Sequence, residues 1–450
     1  MLALLLIVAQ LSPVQAVQPP ADSSLRAPLP DAPQEPPPDG PVLPLQDALR
    51  AARDQSPDLA VTLERVVQAQ NNIQRAWAAI QPTLTGNASY TYNSVGSILF
   101  NGTGIAEGPH GAEAASLNFA WSFFNLRAFP ALATARQQVE VARLTETQQR
   151  RELLLQVAAN YYSGLALREL AQVSYRQARA THDHARDAEA RYAAGIVQLS
   201  AALRARIDAL RADQEARRAQ FAYAAAKSQI AALLDRRDTA FELAPPPTPP
   251  EELKGEWKTM LDLALRDRPE LAAARANEEI AARLKTDAWA QFLPTLALTA
   301  NARYADPATT FTGDKGTWAV ALALTLPLYD GGFRYVALKD ADSTVRQAKA
   351  QTRSTVARIE DELRRAQIDL DSARALRDEA DQTLLAAREN ERLIKAQFDA
   401  GTATQVEVSD AESALFQSES NALQQRLSVQ IAALRVAKAV GAFDLQGGGR

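Results

Sequence analysis

Four stretches of this chain alternate bulky apolar residues with small or polar ones at a period of two. In Thr83–Asn93 the even positions are Leu84, Gly86, Ala88, Tyr90 and Tyr92, and the odd ones are Thr, Asn or Ser. In Ser116–Phe123, Leu117, Phe119, Trp121 and Phe123 alternate with Ser116, Asn118, Ala120 and Ser122. In Thr295–Ala305, Leu296, Leu298 and Tyr304 alternate with Thr295, Thr299, Asn301 and Arg303. In Thr317–Leu328, Trp318, Val320, Leu322, Leu324, Leu326 and Leu328 alternate with Thr and Ala. Period two predicts strands with one greasy and one small or polar face. Most are about as long as a bilayer-crossing strand, roughly 9–11 residues. Tyr90, Tyr92 and Tyr304 stand near strand ends, where membrane interfaces favour aromatics.

Between the strands the period changes. From Val356 a 3-4 spacing runs through Ile359, Leu363, Ala366, Leu370, Ala373, Ala380, Leu384, Ala387, Ile394 and Phe398, interrupted at Arg377 and Glu391. This is a coiled-coil seam, and its many Ala let partner helices approach closely. Phe333 to Asp399 reads as one helix of about 100 Å. The flanking helices, about Arg268–Gln291 and Thr402–Val440, sum to a similar length and could stack end to end beside it. In the first half the same holds for Arg127–Ala194 against Pro57–Ile80 plus Val197–Leu234.

The plan occurs twice. Pro57 matches Pro269 and Pro82 matches Pro294, each pair 212 apart; FFNL (123–126) matches LYDG (328–331), and RYAAG (191–195) matches QFDAG (397–401). The markers keep their order, so this is a tandem duplication. The expected organisation is a signal peptide at 1–16, a Pro-rich linker at 17–44, repeat 1 at 45–242, a Pro-rich inter-repeat linker at 243–256, repeat 2 at 257–443 and a tail at 444–450. The first linker holds ten Pro and reads as disordered or polyproline. Pro82 and Pro294 end helices and admit strands. Gly331 and Gly332 supply a permissive backbone where strand becomes helix. The fold class is an α+β membrane protein with a duplicated unit of two strands and a long coiled-coil helix.

Composition narrows the chemistry. The chain has 450 residues, a net charge of −4, no Cys and three His. That charge gives no general attraction to nucleic acid, and the missing Cys excludes disulfides, thiolate metal sites and a Cys lipid anchor. His182 and His184 lie two apart on a helix and point to different faces, which reads as surface histidine rather than metal site. No phosphate loop or nucleophile elbow is present. The Gly-rich 96–111 segment reads as a long exposed loop between strands. Nothing points to an enzyme, a cofactor or a metal. No apolar run of 18 residues follows the N-terminus, so no helix is expected to span a membrane. Four strands cannot close a barrel alone, and open edges are not tolerated in lipid, so membrane strands must be pooled from several chains. The competing reading is a soluble periplasmic coiled-coil scaffold whose strands form a small buried sheet.

QPTL and LPTL before the strands, PLYDGG, RYAAG, and FDAGTATQVEVSDAESAL in this order resemble the TolC family of bacterial outer-membrane channel proteins over nearly all of 45–443. The resemblance implies a homotrimer in outer-membrane lipid. It implies a 12-stranded β-barrel continued by a periplasmic α-helical barrel, with an irregular belt around the middle. It implies a passive duct engaged by a periplasmic adaptor protein and an inner-membrane RND or ABC transporter, passing small toxic compounds or polypeptides. It places a pore constriction at the second-half turn, on Phe398, Glu407 and Asp410, with Asp410 ringing the pore in three copies and favouring cations. The family's basic residue at that turn is Ala403 here. Gly195 and Gly401 are expected at helical turns that meet the adaptor.

Overall fold

The computed structural model describes residues 28–94, 98–100, 105–107, 110–245, 255–308 and 313–442. The expected signal peptide at 1–16, the tail at 444–450 and the middle of the inter-repeat linker lie outside them. The elements run β1 (Val42–Leu43), α1 (Leu45–Gln55), α2 (Pro57–Ala78), β2 (Thr83–Tyr92), β3 (Ile98–Phe100), β4 (Ile105–Glu107), β5 (Gly111–Phe124), α3 (Ala128–Ala193) and α4 (Leu199–Leu233). Then come β6 (Glu242–Leu243), α5 (Trp257–Asp267), α6 (Pro269–Ala290), β7 (Thr295–Asp306), β8 (Gly316–Thr325), α7 (Phe333–Asp399) and α8 (Gln405–Val440). From β2 onward, strands, long helix and returning helix recur in the order expected. The chain forms two compact units, and α3, α4, α7 and α8 each contribute to both.

One unit comprises Gly40–Tyr162, Ser228–Ala375 and Ser428–Arg450. It holds a four-stranded antiparallel sheet of order β2-β5-β7-β8, which leaves β2 and β8 as open edges. The register joins strands of both repeats and puts their greasy positions in rows. Leu84, Phe119, Ala300 and Val320 are cross-strand neighbours, as are Gly86, Leu117, Ala302 and Trp318. The opposite face carries rows such as Thr85, Asn118, Asn301 and Ala319, with an Asn301–Asn118 amide hydrogen bond. No described helix covers the greasy face: Trp318 is 80% and Leu322 63% exposed, and Leu84, Val320 and Leu324 are open too.

Two strand expectations need correction. The last strand stops at Thr325, not Leu328. Its partner β7 begins opposite, at Thr295, and Pro294 before it has no N–H to extend the ladder. β5 is longer than expected, Gly111–Phe124, and its register against β7 slips between Trp121 and Phe124. One extra residue there sets Phe124, not Phe123, opposite Leu296, which is a β-bulge near the strand's exit. Within the segment read as a loop, β3 and β4 form a short hairpin.

The helical part of this unit is a packed core. Leu363, Leu370 and Ala373 of α7 bury against Val429, Ala433 and Val436 of α8, with Met260 of α5. Leu271 of α6 meets Ile359 of α7. The 3-4 seam read from the sequence is therefore the buried stripe. The short strands β1 and β6 pair in parallel. The Tyr161 hydroxyl lies 2.7 Å from the Leu43 carbonyl and accepts the Ala244 N–H at 3.1 Å. Gly40 is obligatory beside them: its φ is +102°, and a Cβ would meet the Ala240 carbonyl oxygen at 2.2 Å.

The other unit comprises Met1–Asp39, Ser163–Lys227 and Leu376–Leu427. It consists of two antiparallel helical hairpins, α3/α4 and α7/α8, with Ala-rich seams. Ala185, Ala188, Ala205 and Ala209 form one cluster, and Ala380, Leu384 and Ala422 another. The described part of the Pro-rich segment is not a free linker. Leu29 packs on the Ala185–Ala209 cluster, Asp31 pairs with Arg186 at 3.0 Å, and Asp39 lies 3.4 Å from Lys227.

Candidate functional site

The residues singled out by sequence fall at two places. Pro82, Pro294, Gly331 and Gly332 stand at strand–helix junctions of the sheet-bearing unit. Gly195, Gly401, Phe398, Glu407 and Asp410 stand at the hairpin turns of the other.

At the junctions, Pro82 and Pro294 directly precede β2 and β7. Gly331 and Gly332 have φ of +72° and +90°, which only Gly adopts without strain. Asp330 caps this turn: its carboxylate accepts the Gly332 and Arg334 N–H groups, each at 3.2 Å, and the Arg334 guanidinium at 2.7 Å. In repeat 1 the corresponding Asn125 accepts the Arg127 N–H at 3.2 Å, and no Gly is needed.

At the hairpin turns, Gly195 (φ +75°) and Gly401 (φ +78°) close α3 and α7 by the same motif. The Gly195 N–H reaches the Tyr192 carbonyl and the Ile196 N–H the Arg191 carbonyl, both at 2.9 Å. Gly401 and Thr402 repeat this with Phe398 and Gln397, again at 2.9 Å. This paired pattern satisfies the orphan carbonyls of a helix end. A Cβ at either Gly would meet nothing within 4 Å, so both turn tips are open.

Glu407 has a local role that sequence reading missed. Its carboxylate accepts the Thr404 N–H at 2.6 Å and the Thr404 hydroxyl at 2.9 Å, while Thr404 Oγ1 accepts the Glu407 N–H at 3.3 Å. This reciprocal capping box starts α8. The Thr404 N–H, then its hydroxyl, hold the Glu407 carboxyl below the usual range. Asp410 is exposed and lies 3.8 Å from Arg204. The Phe398 ring lies under the Arg191 guanidinium, 5.1 Å from its centroid. Ala403 thus leaves no local cation, but repeat 1 supplies two, Arg191 and Arg204.

Side-chain rungs tie each hairpin. In α7/α8 they are Lys395–Glu412 at 3.1 Å, Arg388–Glu419 at 3.1 Å and Asp381–Arg426 at 2.9 Å. In α3/α4 they are Glu189–Arg206 at 3.3 Å and His182–Asp213 at 2.9 Å. Each step moves seven residues along both helices, and equivalent rungs lie 206 apart in sequence. That combination was a signal available in the sequence. The surface reading of the histidines is corrected here. His182 is fully buried, with Nε2 on Asp213 and Nδ1 without a partner. His184 faces the other way, as expected, but its Nε2 sits 2.6 Å from Oε1 of the buried Glu412. This contact ties α3 to the Lys395–Glu412 rung. The hydrogen bond to Glu412 raises the His184 pKa against the opposing effect of burial. Burial alone would raise Glu412, but His184 and Lys395 together hold it low. Among the described residues no group of three potential ligands could hold a metal ion, and no helix is long and apolar enough to cross a membrane.

Comparison with known proteins bears on the family and the fold. The family model described as "Outer membrane efflux protein" matches residues 48–236 and 260–442, one segment per repeat. Outer membrane protein TolC of Escherichia coli (strain K12) is 23% identical over 428 residues, which cover 89% of this chain and 83% of that protein. The solved structure of the outer membrane protein VceC from Vibrio cholerae superposes with a TM-score of 0.70 at 23% identity, covering 88% of this chain and 96% of that one. The CmeC outer membrane channel of Campylobacter jejuni gives a TM-score of 0.76 at 16% identity, covering 90% and 87%.

Proposed function

The chain belongs to the outer membrane efflux protein family, and from that premise we propose that it is the passive exit duct of a tripartite efflux or type I secretion system. Its place is the bacterial outer membrane, with a large helical part in the periplasm. One observation carries the reading: the β2-β5-β7-β8 sheet has a greasy face that none of the described residues covers, and two open edges. Fully burying a large apolar side chain is worth about 1.5–3 kcal/mol, so a row of them left in water is a heavy penalty. Lipid removes that penalty but forbids the open edges. Three copies joined β8 to β2 meet both demands, and twelve strands close into one barrel. The alternative, a periplasmic scaffold, requires the greasy face to be buried on protein, and the helices leave it bare.

The partners follow from this role: outer-membrane lipid, two further copies, a periplasmic adaptor at the open turns around Gly195 and Gly401, and an RND or ABC transporter. The two repeats, residues 45–242 and 257–443, each contribute two strands to the shared sheet and one long helical hairpin, with 243–256 in the belt. Asp410 forms the constriction in three copies, with Arg204 and Arg191 as the basic partners that Ala403 does not provide. Phe398 lines it, and Glu407 sets the turn through its capping box.

The test is oligomeric mass in detergent together with conductance in a planar bilayer. A trimer with small cation-selective currents, whose block by multivalent cations is lost in Asp410→Ala, supports both the duct and the ring. A trimer with unchanged block removes the Asp410 ring alone. A non-conducting monomer or dimer removes the duct.

A further inference from the structure

The polar face of the sheet is almost free of charge. On β2 it carries Thr83, Thr85, Asn87, Ser89 and Thr91, and on β8 only Thr and Ala. On β5 and β7 it carries Ala, Ser, Thr, Asn and one Arg. Arg303 is therefore the single charged side chain that these strands place on that face. It is exposed and forms no ion pair among the described residues. Lys315, just beyond the start of β8, is paired with Asp306 at 2.6 Å.

The register sets Arg303 in a row of donors. Asn87 of β2 stands opposite Ser116 of β5, Ser116 opposite Arg303 of β7, and Arg303 opposite Thr317 of β8. Directly opposed residues hold their Cβ atoms about 4.5–5.5 Å apart. An amide, two hydroxyls and a guanidinium thus lie side by side at one height, with no carboxylate among them. Guanidinium is the planar fork that grips oxyanions, and neighbouring hydroxyl and amide hydrogens complete such a grip.

We propose that this row, repeated in three copies, is an oxyanion-binding ring in the lumen of the barrel. The inference rests on the trimeric duct reading, which turns the polar face inward and brings three Arg303 to the same level. Its ligands are carboxylate, sulfate or phosphate groups in transit. The ring acts as a selectivity element separate from Asp410, and opposite to it in sign. A charged ring in a confined pore sets the local concentration of counter-ions.

The experiment is block of the reconstituted channel by inorganic tripolyphosphate, added to the barrel side or the helical side, in wild type, Arg303→Gln and Arg303→Lys. The expected result is block from the barrel side, a half-blocking concentration at least about tenfold higher in Arg303→Gln, and block largely kept in Arg303→Lys. Block from the helical side alone, or equal block in wild type and Arg303→Gln, overturns the ring and leaves the duct intact. Failure of the wild-type protein to conduct removes the duct and the ring together. Because Arg303 is exposed, Arg303→Lys also serves as the folding control.

Discussion

The hairpins α3/α4 and α7/α8 place their rungs at equivalent positions but build them from different chemistry. Glu189–Arg206 in the first becomes Lys395–Glu412 in the second, with the signs reversed. His182–Asp213 becomes Arg388–Glu419. The third rung, Asp381–Arg426, has Tyr175 at the matching position of α3, where it packs on Ala178 and Ala216. The heptad geometry of an antiparallel Ala-rich pair fixes where a rung can form. It does not dictate which residues form it. What varies is burial, and burial decides how much each rung matters.

Glu412 is the sharpest case. It is buried and receives both Lys395 of its own hairpin and His184 of the other. Removing one partner of a buried pair leaves the rest uncompensated. Glu412→Ala is expected to destabilise the protein by about 2–4 kcal/mol, read as a drop in denaturation midpoint. A loss below about 0.5 kcal/mol would mean that this rung is no stronger than a surface pair.

Next comes the buried rung of the first hairpin. His182 Nδ1 already lacks a partner, so Asp213→Ala strips the ring of its Nε2 contact. The expected loss is about 1–3 kcal/mol. Arg388→Ala breaks the equivalent but solvent-exposed rung and should lose less than about 1 kcal/mol. Equal losses at the two sites would break the link between burial and rung strength.

Much of this was legible in the sequence. Period two gave the strands because this antiparallel sheet separates a greasy face from a polar one, and the 3-4 seam gave α7 because Ile359, Leu363 and Leu370 do face its core. The duplication gave the two turns and their Gly residues. Other features carried no pattern. Two-residue strands such as β1 and β6 are too short to show a period. The stop at Thr325 depends on Pro294 in a neighbouring strand. Glu407 read as a pore acid because its capping partner, Thr404, matters only once the helix start is known. His182 read as surface because its partner lies 31 residues away, on another helix.

His184 makes the contact between the two hairpins depend on pH. Its pKa is raised above 6.5, so the stability from its pairing is complete below about 6.5 and fades as pH rises through the raised value. Glu412 is lowered from 4.5, so its share is complete above 4.5 and fades as pH falls through the lowered value. Lys395 and Asp183 also act on His184, in opposite directions. The contact between the hairpins is therefore strongest at about pH 4.5–6.5. Denaturation midpoints should be higher at pH 6 than at pH 8, and the difference should shrink in His184→Gln. The effect is smaller than that of Glu412→Ala because His184 is partly open to water. A difference that His184→Gln leaves unchanged would assign the pH dependence to other groups.

The smallest effect tests the comparison most directly, because the protein contains both versions of one rung. Glu189→Lys alone puts two cations together and should destabilise by about 1 kcal/mol. Arg206→Glu alone does the same with two anions. Glu189→Lys combined with Arg206→Glu rebuilds in α3/α4 the arrangement that α7/α8 already uses, and should return to within about 0.5 kcal/mol of wild type. If the double variant is as unstable as the two single changes added together, the sign of the rung is set by its surroundings, and the two repeats are not interchangeable at this position. If stability returns, the ladder position is the fixed element, and charge is the part that drifted after the duplication.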